Sequence, residues 1–377
     1  MNALLITSLV TALLTPQSAA WGHFRFKKWN IRDFETRKRE YLGFNRRVYS
    51  HQPGPCQLVE GVENGSEDIE LIAEDNIAFV SSFGTPQTGG KIYLYDYSKN
   101  PDGQSYSVEE VSIERGSDES FDPAKFIPFG LSSWRDDGGA ITVFAVNANG
   151  NSNVFAAERV ELFNYDKRRN VLVHRKTVSS TEGLIYSAND VAATGPESFF
   201  VTNFRYYQDP KLQELESVYQ LKIASFLYYD GQSLTIADKG NVAGPNGIAY
   251  DGNRRLLYVS GFNGEAMHVY TVGQDFSVEH RLKIPLFSHP DNVFVERTTG
   301  DILIGCHHEL YKVESLPSQV VRFRLADDFS YRSSEIYAND GSELNGSSGG
   351  VLHDDQLLIG TVTSRLMHCQ IEYEKPF

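Results

Sequence analysis

Residues 246–272 run Asn246-Gly247-Ile248-Ala249-Tyr250-Asp251, then Arg255-Leu256-Leu257-Tyr258-Val259-Ser260, then Met267-His268-Val269-Tyr270-Thr271-Val272. These are short runs of β-branched and aromatic residues separated by Gly- and Asn-containing turns, the pattern of an antiparallel meander with continuous apolar runs inside. The same phrase recurs on both sides. Upstream, Asp75–Ser82 leads to Gly90–Tyr97. Downstream, Asp291-Asn292-Val293-Phe294-Val295 leads to Asp301–Gly305 and Val320–Phe323, and Gly349–Leu352 leads to Gln356–Gly360 and Leu366–Cys369. The anchors Gly130, Asn189, Asn246, Asp291 and Ser347 lie 59, 57, 45 and 56 residues apart. A four-stranded repeat of about 40–50 residues is a propeller blade. With the unit beginning near Glu67, the count predicts an all-β, six-bladed β-propeller over residues 56–377. Its one helical stretch is Asp209–Ser217.

The 377 residues are 41% hydrophobic and 12% aromatic, which is ample for a large core. The net charge of −14 argues against a nucleic-acid binder, because phosphate neutralisation needs clustered cations. Residues 1–20 carry no charge and hold a short apolar run followed by Ser18-Ala19-Ala20, which reads as a secretory signal or a retained signal-anchor. Residues 21–50 follow as a basic segment: from Trp21 to Arg47 nine cations and three anions give net +6, interleaved with Trp21, Phe24, Phe26, Trp29, Phe34 and Tyr41. Rings beside cations suit a bilayer interface; a solvated helix packed on the main domain is the other reading. The expected location is the secretory pathway: the endoplasmic reticulum, the cell membrane or the extracellular space, membrane-associated.

Of three cysteines, Cys56 and Cys369 bracket the repeats and Cys306 sits in an apolar run. Secretory routing favours one disulfide; Cys56–Cys369 would tie the ends and close the ring, leaving Cys306 as a buried thiol. No Cys-x-x-Cys or His-x-x-x-His spacing supports zinc. At the blade starts sit Glu67-Asp68, Asn189-Asp190, Asn246 and Asp291-Asn292. A propeller's first strands line its axis, so these scattered residues are expected to converge. They offer only carboxylate and amide oxygens, the donors a hard cation such as calcium takes.

Cys56–Asp68, Pro128-Phe129-Gly130-Leu131-Ser132, Ala188–Val191, Pro245–Ile248, Asp291–Val293, Gly305-Cys306-His307 and Leu358–Val362, in that order, closely resemble the paraoxonase/arylesterase family. The resemblance implies two calcium ions in the propeller tunnel, a membrane-associating N-terminus and a disulfide between the termini. By position it implies a catalytic-type calcium on Glu67, Asn189, Asn246, Asp291 and Asn292. A structural calcium would sit on Asp68, Asp190 and the Leu131 carbonyl. It also implies a departure. The family's two pocket histidines fall on Phe129 and on Ala148, and a third pocket histidine is replaced around Phe204-Arg205. Neither a phenyl nor a methyl group accepts a proton.

Two expectations follow. One is a calcium-dependent ester or lactone hydrolase of altered or weak activity, with Asp291 or Glu67 as base or nucleophile and His307 as a further candidate. The other is a non-catalytic membrane-associated chaperone or accessory subunit, since the family includes nematode members that assist assembly of degenerin-type sodium channels. Of two N-glycosylation sequons, Asn345 is expected on an exposed loop, and Asn64 close to the axial set.

Overall fold

Inner-strand residues such as Val143 and Phe144 are both fully buried, which an isolated two-faced sheet with one wet side would not permit. The computed structural model shows why; it describes residues 31–44, 46–85, 89–99, 105–116, 120–148, 158–180, 182–311 and 315–372. Six sheets form its blades. Blade 1 is β2 (Ile69–Ile72), β3 (Ile77–Thr85), β4 (Gly89–Asp96) and β5 (Val108–Glu110). Blade 2 is β7 (Pro128–Arg135), β8 (Ile141–Asn147), β9 (Arg159–Asp166) and β10 (Val171–Val178), with β6 (Ser112–Glu114) added in parallel to β10. Blade 3 is β11 (Ala188–Ala193), β12 (Phe199–Asn203), β13 (Ser225–Tyr229) and β14 (Leu234–Lys239). Blade 4 is β15 (Pro245–Asp251), β16 (Leu256–Gly261), β17 (Ala266–Val272) and β18 (Val278–Pro285). Blade 5 is β19 (His289–Val295), β20 (Asp301–His307), β21 (Ser318–Leu325) and β22 (Tyr331–Asn339).

Blade 6 joins both ends of the repeats. Its strands β23 (Ser347–His353), β24 (Gln356–Thr361) and β25 (Leu366–Gln370) are completed by β1 (Cys56–Val59). Cys56 pairs in register with Cys369, and the two form the disulfide. Cys306 is a buried thiol. Pairing the first strand with the last removes the exposed edges that an open sheet would present.

The buried apolar residues sort into six cores, each shared by neighbouring blades. Val143 joins Phe79 and Ile92 between blades 1 and 2, whereas Phe144 joins Val191 and Val201 between blades 2 and 3. Leu257 likewise faces blade 3 and Leu256 faces blade 5. Each inner strand thus has an apolar neighbour on both faces, and its sequence has no polar side to show.

The described chain divides at Lys38/Arg39. Helix α1 (Ile31–Tyr41) crosses that point, and on its first side Arg37 pairs with Asp33 at 3.0 Å. Helix α2 (Pro210–Val218) lies between β12 and β13, where the sequence predicts it. The Asp209 side chain caps it, accepting from the amides of Lys211 and Leu212. Residues 1–20 and the first part of the 21–50 segment lie outside the described residues. Among the described residues no helix is long and apolar enough to cross a membrane. The sequon expectation needs correcting. Asn345 is half-buried and its side-chain oxygen accepts from the amide of Leu316 at 2.8 Å, whereas Asn64 is exposed at φ 57°.

Candidate functional site

Adjacent residues on a regular strand face opposite ways, so a pair such as Asn189-Asp190 cannot send both side chains to one axis without a local break. The break is present in blade after blade. The pairing of first and second strands shifts between Pro128 and Leu131, Ala188 and Val191, Pro245 and Ile248, and Pro290 and Val293. These bulges lift two residues of each strand out of the ladder at the axial level. In blade 1, Glu67 and Asp68 precede β2, and Ser81 is bonded to both through its backbone.

At this level the blades nearly touch. A Cβ on Gly130 would fall 2.2 Å from Asp190 Oδ1, and one on Gly247 would fall 2.5 Å from the Asp291 carbonyl. Only glycine lets the strands approach so closely.

The axial residues separate into two layers. In the first, Asn292 Nδ2 donates to the Glu67 carbonyl at 2.7 Å and lies 3.4 Å from its Oε1, so blades 5 and 1 meet across the axis. His307 Nε2 is 2.9 Å from Asp291 Oδ2, a hydrogen bond between the imidazole and the carboxylate. Glu67 Oε2, Asn189 Oδ1, Asn246 Oδ1 and Asn292 Oδ1 are buried and have no hydrogen-bond partner. In a folded interior such acceptors are normally satisfied. Four of them, on residues that lie far apart along the chain, mark a place shaped for a group that accepts lone pairs.

In the second layer each carboxylate oxygen already accepts one backbone amide. Asp68 accepts from the amides of Ile69 (2.8 Å) and Leu131 (2.6 Å), and Asp190 from those of Val191 (2.7 Å) and Ile248 (2.7 Å). Each carboxylate therefore staples one blade to the next. Leu131, named from the sequence for its carbonyl, contributes its N–H here.

Burial, and then the crowding of these acids, raises their pKa values. Burial, then the charges of Asp291 and Asp68, push Glu67 well above the usual carboxylate range. Burial lifts Asp68 to about 6, against the pull of its two amide donors. Burial, then the charge of Asp68, holds Asp190 well above its ordinary value. Glu67 feels the charge of Asp291, so the fold holds these two acids near one another against their repulsion. Among the described residues no group of three or more His, Cys, Asp or Glu is arranged to hold a metal. The axial set differs in drawing three of its five first-layer members from amides.

At the positions where the family resemblance puts pocket histidines, Phe129 stacks on Phe83 with centroids 5.4 Å apart, and Phe204 meets Phe262 edge-on at 5.5 Å. The Ala148 amide donates to the Ile127 carbonyl at 3.0 Å. Asn147 accepts from the Ile127 amide at 3.1 Å and donates to the buried Glu161 at 2.8 Å, which also binds His174 at 3.0 Å. The sequence reading missed Glu161, and also that His307 contacts an axial carboxylate. The first had no signal, being an acid inside an apolar run. The second required the bulged register of β19 on β20.

Matched against known families, residues 48–371 fit the arylesterase family. The chain belongs to the arylesterase family. Within it, this arylesterase-family chain is 31% identical to mechanosensory abnormality protein 6 of Caenorhabditis elegans, over 95% of this chain and 98% of that one. It is also 31% identical to human serum paraoxonase/arylesterase 2, over 88% and 93%. Among solved structures, regucalcin of Agrobacterium tumefaciens, titled a calcium-binding protein, superposes with TM-score 0.51. At 10% identity, over 88% of this chain and 98% of that one, that likeness shows the fold.

Proposed function

We propose that the first axial layer holds a divalent cation, calcium by its donor chemistry, and that the protein is a calcium-dependent ester or lactone hydrolase of altered or weak activity. The observation that carries this is the four buried oxygens without partners on Glu67, Asn189, Asn246 and Asn292. Together with Asp291 they make an all-oxygen set of two carboxylates and three amides, which suits calcium and not zinc or copper. The name of the human relative, a serum paraoxonase/arylesterase, supports an acyl-transfer chemistry and a secretory route. By the family resemblance a second calcium belongs to Asp68 and Asp190; their four amide bonds leave each oxygen one further lone pair for it.

When bound, calcium polarises a substrate carbonyl. The chain's own residues do the rest. His307 fixes the rotation of Asp291, and Asn292 fixes that of Glu67, so both carboxylates face the axis before any substrate arrives. Phe83 with Phe129, and Phe204 with Phe262, make two aromatic pairs that offer apolar surface to a substrate. With Phe129 and Ala148 at the family's histidine positions, the proton acceptors beside the site are the axial carboxylates and His307, which predicts slow turnover.

The test is hydrolysis of aryl esters and lactones by purified protein with and without chelator. Calcium-dependent turnover lost in Asp291→Ala supports the reading. The pair Phe129→His and Ala148→His sharpens it, because residues 128 and 147 sit opposite each other on β7 and β8 and hold both positions in place; raised lactonase activity would show that only the base is missing.

The replaced histidines and the likeness to the C. elegans mechanosensory protein over nearly the whole of both chains favour a second reading. In it the protein is a membrane-associated chaperone or accessory subunit of a degenerin-type channel, and the axial ion is structural. Calcium-dependent stability with no turnover on any substrate would select it.

A further inference from the structure

One carboxylate beside the axial set belongs to neither layer. Glu158 immediately precedes β9 in blade 2. Asn147 pairs with Arg159 across β8 and β9, so the next step of the ladder sets Ala148 opposite Glu158. Directly opposed residues put their side chains on the same face of a sheet, with Cβ atoms about 5 Å apart.

Alternation along the strands says which face that is. Phe144 and Val146 of β8, with Val160 and Leu162 of β9, belong to the core between blades 2 and 3, and Phe129 packs against it. Ala148 and Glu158 continue the same two rows. Asn147, Arg159 and Glu161 take the other face, where Glu161 accepts from Asn147 at 2.8 Å and lies 3.3 Å from Arg159. Glu158 therefore points at blade 3, away from the Glu161 network.

Its carboxylate crosses the blade boundary. Oε2 accepts from the amide of Ala188, the first residue of β11. The next residue is Asn189, whose buried Oδ1 has no partner. A carboxylate oxygen is thus tied to the residue that precedes a first-layer donor. Among the described residues nothing else bonds that carboxylate, so Oε1 is left to accept. Glu158 is half-buried, and burial lifts its pKa to about 7 against the pull of the Ala188 amide. At neutral pH such a carboxyl takes a proton far more readily than one at the ordinary 4.5.

We propose that Glu158 is the general base of the hydrolysis, doing from the edge of β9 what neither Phe129 nor Ala148 can do. The proposal rests on the hydrolase reading. Within that reading Glu67 and Asp291 are ligands of the cation, whose charge favours their ionised form and weakens them as bases, and His307 already bonds Asp291. Glu158 stands one residue outside the ligand set. The attacking water gives it a proton as the water oxygen bonds to the acyl carbon of an ester or lactone. The bond from that carbon to the alkoxy oxygen then breaks, and the leaving oxygen takes the proton back, which regenerates the carboxylate.

The test compares two variants of the calcium-loaded protein on an aryl ester and a lactone. Glu158→Gln keeps an oxygen for the Ala188 amide and loses the base, so kcat is expected to fall about a hundredfold. Its calcium affinity and melting temperature are expected not to fall. Glu158→Ala is expected to lose as much and to regain turnover in added formate, a carboxylate small enough to fill the gap. Unchanged kcat in Glu158→Gln overturns the base and leaves the hydrolase standing. So does a fall in kcat accompanied by weaker calcium binding and no rescue by formate, which would make Glu158 a positioning residue for Asn189. An unaltered protein that turns over neither substrate overturns both.

Discussion

Glu67 and Asn189 lie one residue from Asp68 and Asp190, yet the two layers are chemically opposite. The first layer keeps oxygens without donors; the second spends its oxygens on backbone amides of the next blade. A buried acceptor without a partner costs stability, while a carboxylate that takes two amides provides some. The lesson is a division of labour between neighbours: one residue of each pair holds the ring together so that the other can remain unsatisfied and ready for a ligand.

The sharpest way to break this comparison is to remove one member of a single pair. Asp190→Ala leaves the amides of Val191 and Ile248 buried without acceptors, and metal-free protein is expected to lose on the order of 2–6 kcal/mol in chemical denaturation. Asn189→Ala removes an atom that has no partner and is expected to cost about 1 kcal/mol or less in the same buffer. Equal losses would erase the distinction between the layers.

Glu67→Gln is expected next. It keeps the contact with Asn292 and removes a buried charge, so metal-free protein should melt higher at neutral pH. Calcium affinity, read by titration calorimetry, should fall at least roughly tenfold. A weaker fold together with unchanged affinity would assign Glu67 to the stapling layer.

The smallest effect is on pH dependence. Burial pushes Glu70 and Glu158 up to about 7 from an ordinary 4.5. Their folded-state pKa values are raised, so the folded chain binds more protons than the unfolded one between pH 4.5 and 7, and stability falls as pH rises through that window. Melting midpoints of metal-free protein should drop across it. Glu158→Gln, which leaves the axial layers untouched, should flatten part of the slope, and an unaltered slope would remove Glu158 from the account.

The blade count and the axial residues were legible because turn chemistry and apolar runs repeat at propeller spacing, and because Asn and Asp recur at the same phase. Membership of two layers was not legible. Asn189-Asp190 carries no glycine to announce the bulge that lets both residues act at the axis, and only the register of β11 on β12 reveals it. Strand β6 was also invisible, since Ser112-Ile113-Glu114 is too short to show alternation and gains its structure only from β10. Asn345 misled for a related reason. A Gly- and Ser-rich surrounding reads as solvent, but nothing local in the sequence shows that its oxygen meets Leu316.

The ring is sealed by its oldest and youngest strands. Cys56 leaves the ribosome 313 residues ahead of Cys369, so β1 must wait, its amides unpaired, through synthesis of nearly the whole protein. Until the tail emerges, blade 6 lacks its strands β23, β24 and β25 and the ring cannot close. Circularisation therefore depends on the last strand to be synthesised, and a chain cut before β25 would keep β1 and β24 as unpaired edges.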